Sequence, residues 1–231
     1  MSDVIKVFIG FDRKEEIAAH VLARSIQSRS SKPVSITFID LMQLRGYYQR
    51  ARDSLQSTEF TYSRFLVPFL CDYRGRAIFM DCDMLCRGDI ADLWYDTENG
   101  KAVNVVKHCY TPKTDIKFLG QPQAKYPKKN WSSLMVFNNS KCSSLNPYSV
   151  STQSGMYLHQ FGWCDDEEVG AINPEWNWLV GEYPYNPTAK LVHYTLGTPC
   201  FSEFQDCEYA DEWFNEFNTG LCHCEQKSSK L

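Results

Sequence analysis

Residues 4–39 read VIKVFIGFDRKEEIAAHVLARSIQSRSSKPVSITFI. Val4 to Ile9 is an apolar run with the look of a buried strand. Gly10-Phe11-Asp12 forms a turn, and Asp12 followed by Glu15 predicts a capping box at a helix start. Ile17, Val21, Leu22 and Ile26 recur at helical spacing, which predicts an amphipathic helix over 13–28. Lys32-Pro33 breaks it, and Val34 to Ile39 reads as a second strand. Strand, helix, strand implies two parallel strands joined by a right-handed crossover. In sheets of this kind ligands sit beyond the carboxyl ends of the strands.

Further along, residues 76–94 read RAIFMDCDMLCRGDIADLW. Four apolar residues, Ala77 to Met80, run into Asp81-Cys82-Asp83. A buried carboxylate without a partner is costly, so a cation is expected there. In extended backbone residues i and i+2 share a face, so Asp81 and Asp83 converge while Cys82 points the other way. Two hard oxygen donors suit Mg2+ or Mn2+. His193, in KLVHYTLGTPCF, ends a short apolar stretch; an imidazole beside two carboxylates is an ordinary Mn2+ set. Gly197 would let the backbone approach a diphosphate.

Other segments fill out the same α/β pattern. A helix is expected from about Tyr62 to Cys71, strands over 102–106, 133–137 and 190–193, and helix over 147–161. Residues 43–60 look irregular, and 108–130 look like a long loop. Trp163, Trp176 and Trp178 suit the core or its rim, or a face on which a ligand ring could stack. The 231 residues, 43% of them apolar, suit one domain with a sizeable core. A net charge of −4 gives no basic excess for nucleic acid. No run approaches the roughly 18 apolar residues of a membrane helix, and the start lacks a secretory signal. The chain is therefore expected in the cytosol, with its ten cysteines reduced. The spacing of Cys200, Cys207, Cys222, His223 and Cys224 is not a usual zinc knuckle.

Taken together, the segments resemble glycosyltransferase family 8, the retaining, nucleotide-sugar-dependent transferases with the GT-A fold. VFIGFDRKEEIAAHVLARSI is similar to its opening strand and helix, TYSRFLVPFL to its Tyr-x-Arg helix, and IFMDCDMLCRGDIADLW to its Asp-x-Asp segment. SSLMVFN, DDEEVGAI with WNWL, and HYTLGTP are similar to three later segments. The match spans most of residues 4–201, in order.

The resemblance implies a Rossmann-like, mostly parallel sheet flanked by helices over residues 1–205. Residues 206–231 would be a C-terminal extension whose last dozen residues are flexible. It implies that Asp81, Asp83 and His193 hold Mn2+ (or Mg2+) and the diphosphate of a UDP-sugar donor. The Gly10-Phe11-Asp12 turn would border the base, and Arg64 would contact phosphate or sugar. Cys82 lies within the donor segment, Ser132 and Ser133 fall at the sugar pocket, and Asp165 or Asp166 would stand near sugar and acceptor. Gly197 would border the diphosphate. Whether retention proceeds by front-side attack or a covalent intermediate stays open, as do the acceptor (glycan, protein or small molecule) and the oligomeric state.

Two departures stand out. Trp131-Ser132-Ser133 replaces the family's Asn-Ser-Gly, and Thr198-Pro199 replaces its Lys-Pro, so one diphosphate contact is missing or comes from the 113–129 loop. Two alternatives follow: a catalytically silent binding module, or a haloacid-dehalogenase-type phosphohydrolase with Asp81 as nucleophile. Leu85 stands where the latter class has Thr or Val.

Overall fold

The computed structural model describes residues 4–52, 56–109, 116–117, 121–122 and 127–222. Strand β1 (Ile5–Gly10) is followed by a short 3-10 turn and helix α1 (Glu16–Arg29), then β2 (Val34–Ile39). Strands β1 and β2 pair in parallel. The helix starts differently from a capping box. Asp12 accepts from the Lys14 amide, but Glu15 turns inward and is only 3% exposed. Ile17 lies outside the packed face, which Ala18, Ala19, Val21, Leu22 and Ile26 make instead. Small alanines let the helix sit close on the sheet.

The 62–71 segment divides between Leu66 and Val67. A 3-10 turn over Ser63–Leu66 leads into α2 (Val67–Leu70), with Pro68 in its first turn, where no amide donor is needed. Strands β3 (Arg76–Met80) and β4 (Met84–Cys86) flank the Asp81-Cys82-Asp83 bend, and α3 (Ile90–Asp96) is capped by Asp89. Then come β5 (Val103–Val105) and two short strands, β6 (Ile116–Lys117) and β7 (Gln121–Pro122). Most of the loop expected over 108–130 lies outside the described residues. Strand β8 (Leu134–Asn138) follows, then α4 (Pro147–Thr152), α5 (Gly155–His159) and β9 (Val169–Ala171). The chain continues through β10 (Trp178–Leu179), β11 (Leu191–His193) and α6 (Ala210–Cys222).

The central sheet runs β2-β1-β3-β8-β5-β9. Its β1–β2, β1–β3 and β5–β9 pairs are parallel, and β8 runs antiparallel to both neighbours. A second sheet, β10-β11-β4, sits beside it. Near-continuous apolar runs in β1, β3 and β8 are buried on both faces, as a covered sheet requires. Helix α6 packs on α1 and the second sheet. Trp213 is 1% exposed, Glu216 pairs with Arg24 and Arg29, and Glu212 pairs with Arg87. No helix among the described residues is long and apolar enough to cross a membrane.

Candidate active site

The site forms where three strand ends meet. Asp81 follows β3 and Asp83 leads into β4. Strand β11 pairs antiparallel with β4 in a register that sets His193 opposite Met84. The Tyr194 amide donates to Asp83 O at 2.9 Å, which locks that register at the bend. His193 therefore arrives beside the carboxylates from far along the chain. Ligand atoms of Asp81, Asp83 and His193 all lie within 4.8 Å of one another. His193 Nε2 is 3.2 Å from Asp83 Oδ1.

Arg64 closes the other side. Its Nη1 is 2.7 Å from Asp81 Oδ1 and donates to Ser132 O at 2.9 Å. Its guanidinium lies between the rings of Phe60 and Phe79, 5.2 and 5.1 Å away. Asp81 Oδ1 and Asp83 Oδ1 are buried and accept no hydrogen bond in line. Their partners are charges alone, so the donor set fits a divalent cation.

The electrostatics are those of a crowded buried cluster. Burial, helped by Asp83 and opposed by Arg64, pushes the Asp81 carboxyl up to about 6. Burial is the largest single effect on His193 and lowers it, but the charge and hydrogen bond of Asp83, joined by the charge of Asp81, together hold the imidazole above its usual value. Glu15 lies beneath: the Cys82 thiol is 3.8 Å from its carboxylate. Burial, then the charges of Asp83, Asp12 and Asp81, raise Glu15 well above the ordinary carboxylate range. Cys82 itself is fully buried.

The remaining candidates spread out from this point. Strand β8 pairs with β3, and the Asp81 amide donates to Ser133 O at 2.9 Å. The Trp131-Ser132-Ser133 turn is thereby tied to the carboxylates. Ser132 Oγ lies 2.8 Å from His159 Nδ1. Asp12 accepts from the Glu59 amide at 3.0 Å. Both glycines face aromatic rings: a Cβ on Gly10 would meet the Phe60 ring at 2.3 Å, and one on Gly197 the Phe204 ring at 2.3 Å. Phe11 is half-buried against Phe38. Asp165 and Asp166 are exposed at the turn before β9, and Asp166 pairs with Lys128 at 2.6 Å. Neither belongs to the Asp81/Asp83/His193 group. Trp163 and Trp176 are core residues; Trp178 is half-buried against Tyr183.

One residue without an expected role is central. Asn177 is fully buried, with Oδ1 3.0 Å from His193 Nδ1 and Nδ2 donating to Ser133 Oγ at 2.8 Å. Its sequence signal was the Trp-Asn in WNWL, which by itself names no partner.

The sheet order and the carboxylate bend define a GT-A glycosyltransferase fold. The chain is similar to the glycosyltransferase GlyE of Streptococcus pneumoniae, with a TM-score of 0.62 and 14% identity, over 97% of this chain and 64% of that one. For the bifunctional glycosyltransferase WbbM the TM-score is 0.61 at 16% identity, over 94% of this chain and 50% of that one. For the galactosyltransferase LgtC, solved with donor and acceptor sugar analogs, it is 0.56 at 12% identity, over 93% and 96%. The chain thus spans half of WbbM and under two thirds of GlyE.

The model of glycosyl transferase family 8 matches residues 7–161. "Protein CDI" of Arabidopsis thaliana is 46% identical over 220 residues, 91% of this chain and 85% of that protein. The chain belongs to glycosyl transferase family 8. This membership displaces the phosphohydrolase alternative.

Proposed function

We propose that the protein is a metal-dependent transferase that moves a sugar from a UDP-sugar to an acceptor hydroxyl, with retention at the anomeric carbon. The observation that carries this reading is the Asp81, Asp83 and His193 cluster at the sheet's ligand edge in a family 8 chain. A Mn2+ or Mg2+ ion held there would neutralise the departing diphosphate. Asp81 and Asp83 supply oxygen ligands and His193 supplies Nε2. Arg64 balances the charge of Asp81 from inside, which keeps that carboxylate ionised at neutral pH. Asp12 and the backbone at Gly10 and Phe11 border the base, and Ser132, Ser133 and Gly197 border sugar and diphosphate. Asp165 or Asp166 stands toward sugar and acceptor, on the turn that Lys128 holds.

Calorimetric titration with UDP tests the reading: binding should require Mn2+ and be lost in Asp83→Ala. UDP binding that ignores both would sink it. The replacement of Asn-Ser-Gly by Trp131-Ser132-Ser133 favours a second reading, a silent module; it predicts Mn2+-dependent UDP binding with no turnover of any donor.

A further inference from the structure

The two serines of the Trp131-Ser132-Ser133 turn aim their polar atoms inward, at the groups around the metal cluster. Ser132 O accepts from Arg64 at 2.9 Å, and Ser133 O accepts from the Asp81 amide at 2.9 Å. Ser132 Oγ lies beside His159 Nδ1. Ser133 Oγ donates to Asn130 O at 2.7 Å and has Asn177 Nδ2 at 2.8 Å. Ser133 and Asn177 are 2% and 0% exposed, so the bond between them is closed to water.

Ser133 reaches a metal ligand through one intermediary. Asn130 sits in the left-handed region, at φ 61°, and its carbonyl closes the turn by accepting from both the amide and the hydroxyl of Ser133. A serine hydroxyl has a single hydrogen, and this carbonyl takes it. The Asn177 atom beside it must then be the donor, the NH2. That orients the amide, and its oxygen lies 3.0 Å from His193 Nδ1. An amide oxygen can only accept, so Nδ1 carries a ring hydrogen. Nε2, aimed at Asp83, is the nitrogen that can give its lone pair to a cation.

Removing the hydroxyl shows what it contributes. With glycine at 133, as in the family's Asn-Ser-Gly, the Asn130 carbonyl would keep the amide bond, but the Asn177 NH2 would lose its acceptor. A buried donor without a partner is costly. The amide would then gain nothing at this end from its present orientation over the flipped one. In the flipped amide the NH2 faces Nδ1, which favours the ring hydrogen on Nε2 and blocks the ligand nitrogen.

We propose that Ser133 is a positioning residue for the metal: its hydroxyl, through Asn177, holds His193 in the tautomer that leaves Nε2 open. This rests on the reading of Asp81, Asp83 and His193 as the metal site. The serine that replaces the family's glycine thus acts at the metal, with its hydroxyl turned away from the sugar.

The test is a double-mutant cycle of Ser133→Ala and Asn177→Ala on the whole chain, with Mn2+ and Mg2+ affinities measured by calorimetry. Ser133→Ala should lower Mn2+ affinity about tenfold, as loss of a ligand's supporting partner does. The double variant should bind no more weakly than Asn177→Ala, because Ser133 acts only through that amide. Mn2+ affinity should fall more than Mg2+ affinity, since imidazole suits Mn2+ better than Mg2+, which prefers oxygen. A general loosening of the turn would weaken both ions alike and add to the effect of Asn177→Ala. Circular dichroism checks the fold, and Ser133→Gly, which loses the same hydroxyl, repeats the measurement with the family's residue. Wild-type Mn2+ affinity in a folded Ser133→Ala overturns the proposal, as do additive losses in the cycle or equal losses for the two ions. A wild type that binds no Mn2+ would instead overturn the reading of the metal site itself, and this proposal with it.

Discussion

The side-chain oxygen of Asn177 lies 3.0 Å from Nδ1 of His193, and this contact fixes which histidine nitrogen is free to bind a metal. The order of donors can be followed along the buried chain. Ser133 Oγ donates to Asn130 O at 2.7 Å, so it accepts from Asn177 Nδ2. The Asn177 oxygen then faces His193 and accepts from Nδ1–H. Nε2, aimed at Asp83, is left to serve as the ligand nitrogen.

Removing Asn177 should therefore weaken metal binding without touching a ligand. Asn177→Ala is expected to lower Mn2+ affinity by about 10–100-fold, the usual effect of losing a partner of a ligating histidine. Asn177→Asp, which still accepts from Nδ1–H, should lose less. Calorimetry with Mn2+ gives the affinities, and 15N shifts of His193 give the tautomer. Wild-type affinity in Asn177→Ala would refute the ordering.

Arg64 should matter for stability as well as binding. It and Asp81 are largely buried, with side chains 7% and 14% exposed. Breaking such a pair from one side typically costs about 3–5 kcal/mol, because the other charge stays buried alone. Arg64→Met should lower the urea midpoint accordingly, and added Mn2+ should restore part of the loss by supplying the missing positive charge. An unchanged midpoint contradicts the pairing.

The fold was legible where the sequence carries long, uniform signals. The β1-α1-β2 unit and β3 with its carboxylate bend are runs of five residues or more, closed by Pro33 or by charge. The second sheet was harder: β10 and β11 have two and three residues, and pairing rather than periodicity defines them. Asn177 gains its role only through that pairing. Glu15 was misread as a cap because its local spacing fits one, while tertiary packing turns it inward. Helix α6 was hidden by Asn215, Asn218, Thr219 and Gly220, all weak helix formers. Packing of Trp213 against the body of the protein supplies what propensity lacks.

That packing gives another expectation. Trp213 belongs to a cluster with Leu85, Val192 and Tyr194, and Trp213→Ala should cost about 3–5 kcal/mol. Urea unfolding measures it. A loss below about 1 kcal/mol would mean that α6 is a dispensable addition to the domain.

His108 sets a pH dependence. It is buried against Tyr183, with Nδ1 2.9 Å from the hydroxyl, and burial pushes its pKa down to about 3. The unfolded chain takes up this proton below about 6.5, and the folded chain does not. Its contribution is therefore complete above pH 6.5 and is lost as pH falls toward 3. Each unit in that window costs about 1.4 kcal/mol. Chemical denaturation of wild type and His108→Asn at pH 7.5 and pH 5 should show the wild type losing more on acidification. Equal losses would place His108 in contact with solvent.

The central claim is that Asp81, Asp83 and His193 hold the metal for sugar transfer from a UDP-sugar. Its most direct test is UDP release from a panel of UDP-sugars, in Mn2+ and in EDTA. The account predicts release from at least one donor in Mn2+, none in EDTA, and a fall of about 100-fold or more in Asp83→Ala. Release by Asp83→Ala at the wild-type rate would contradict it.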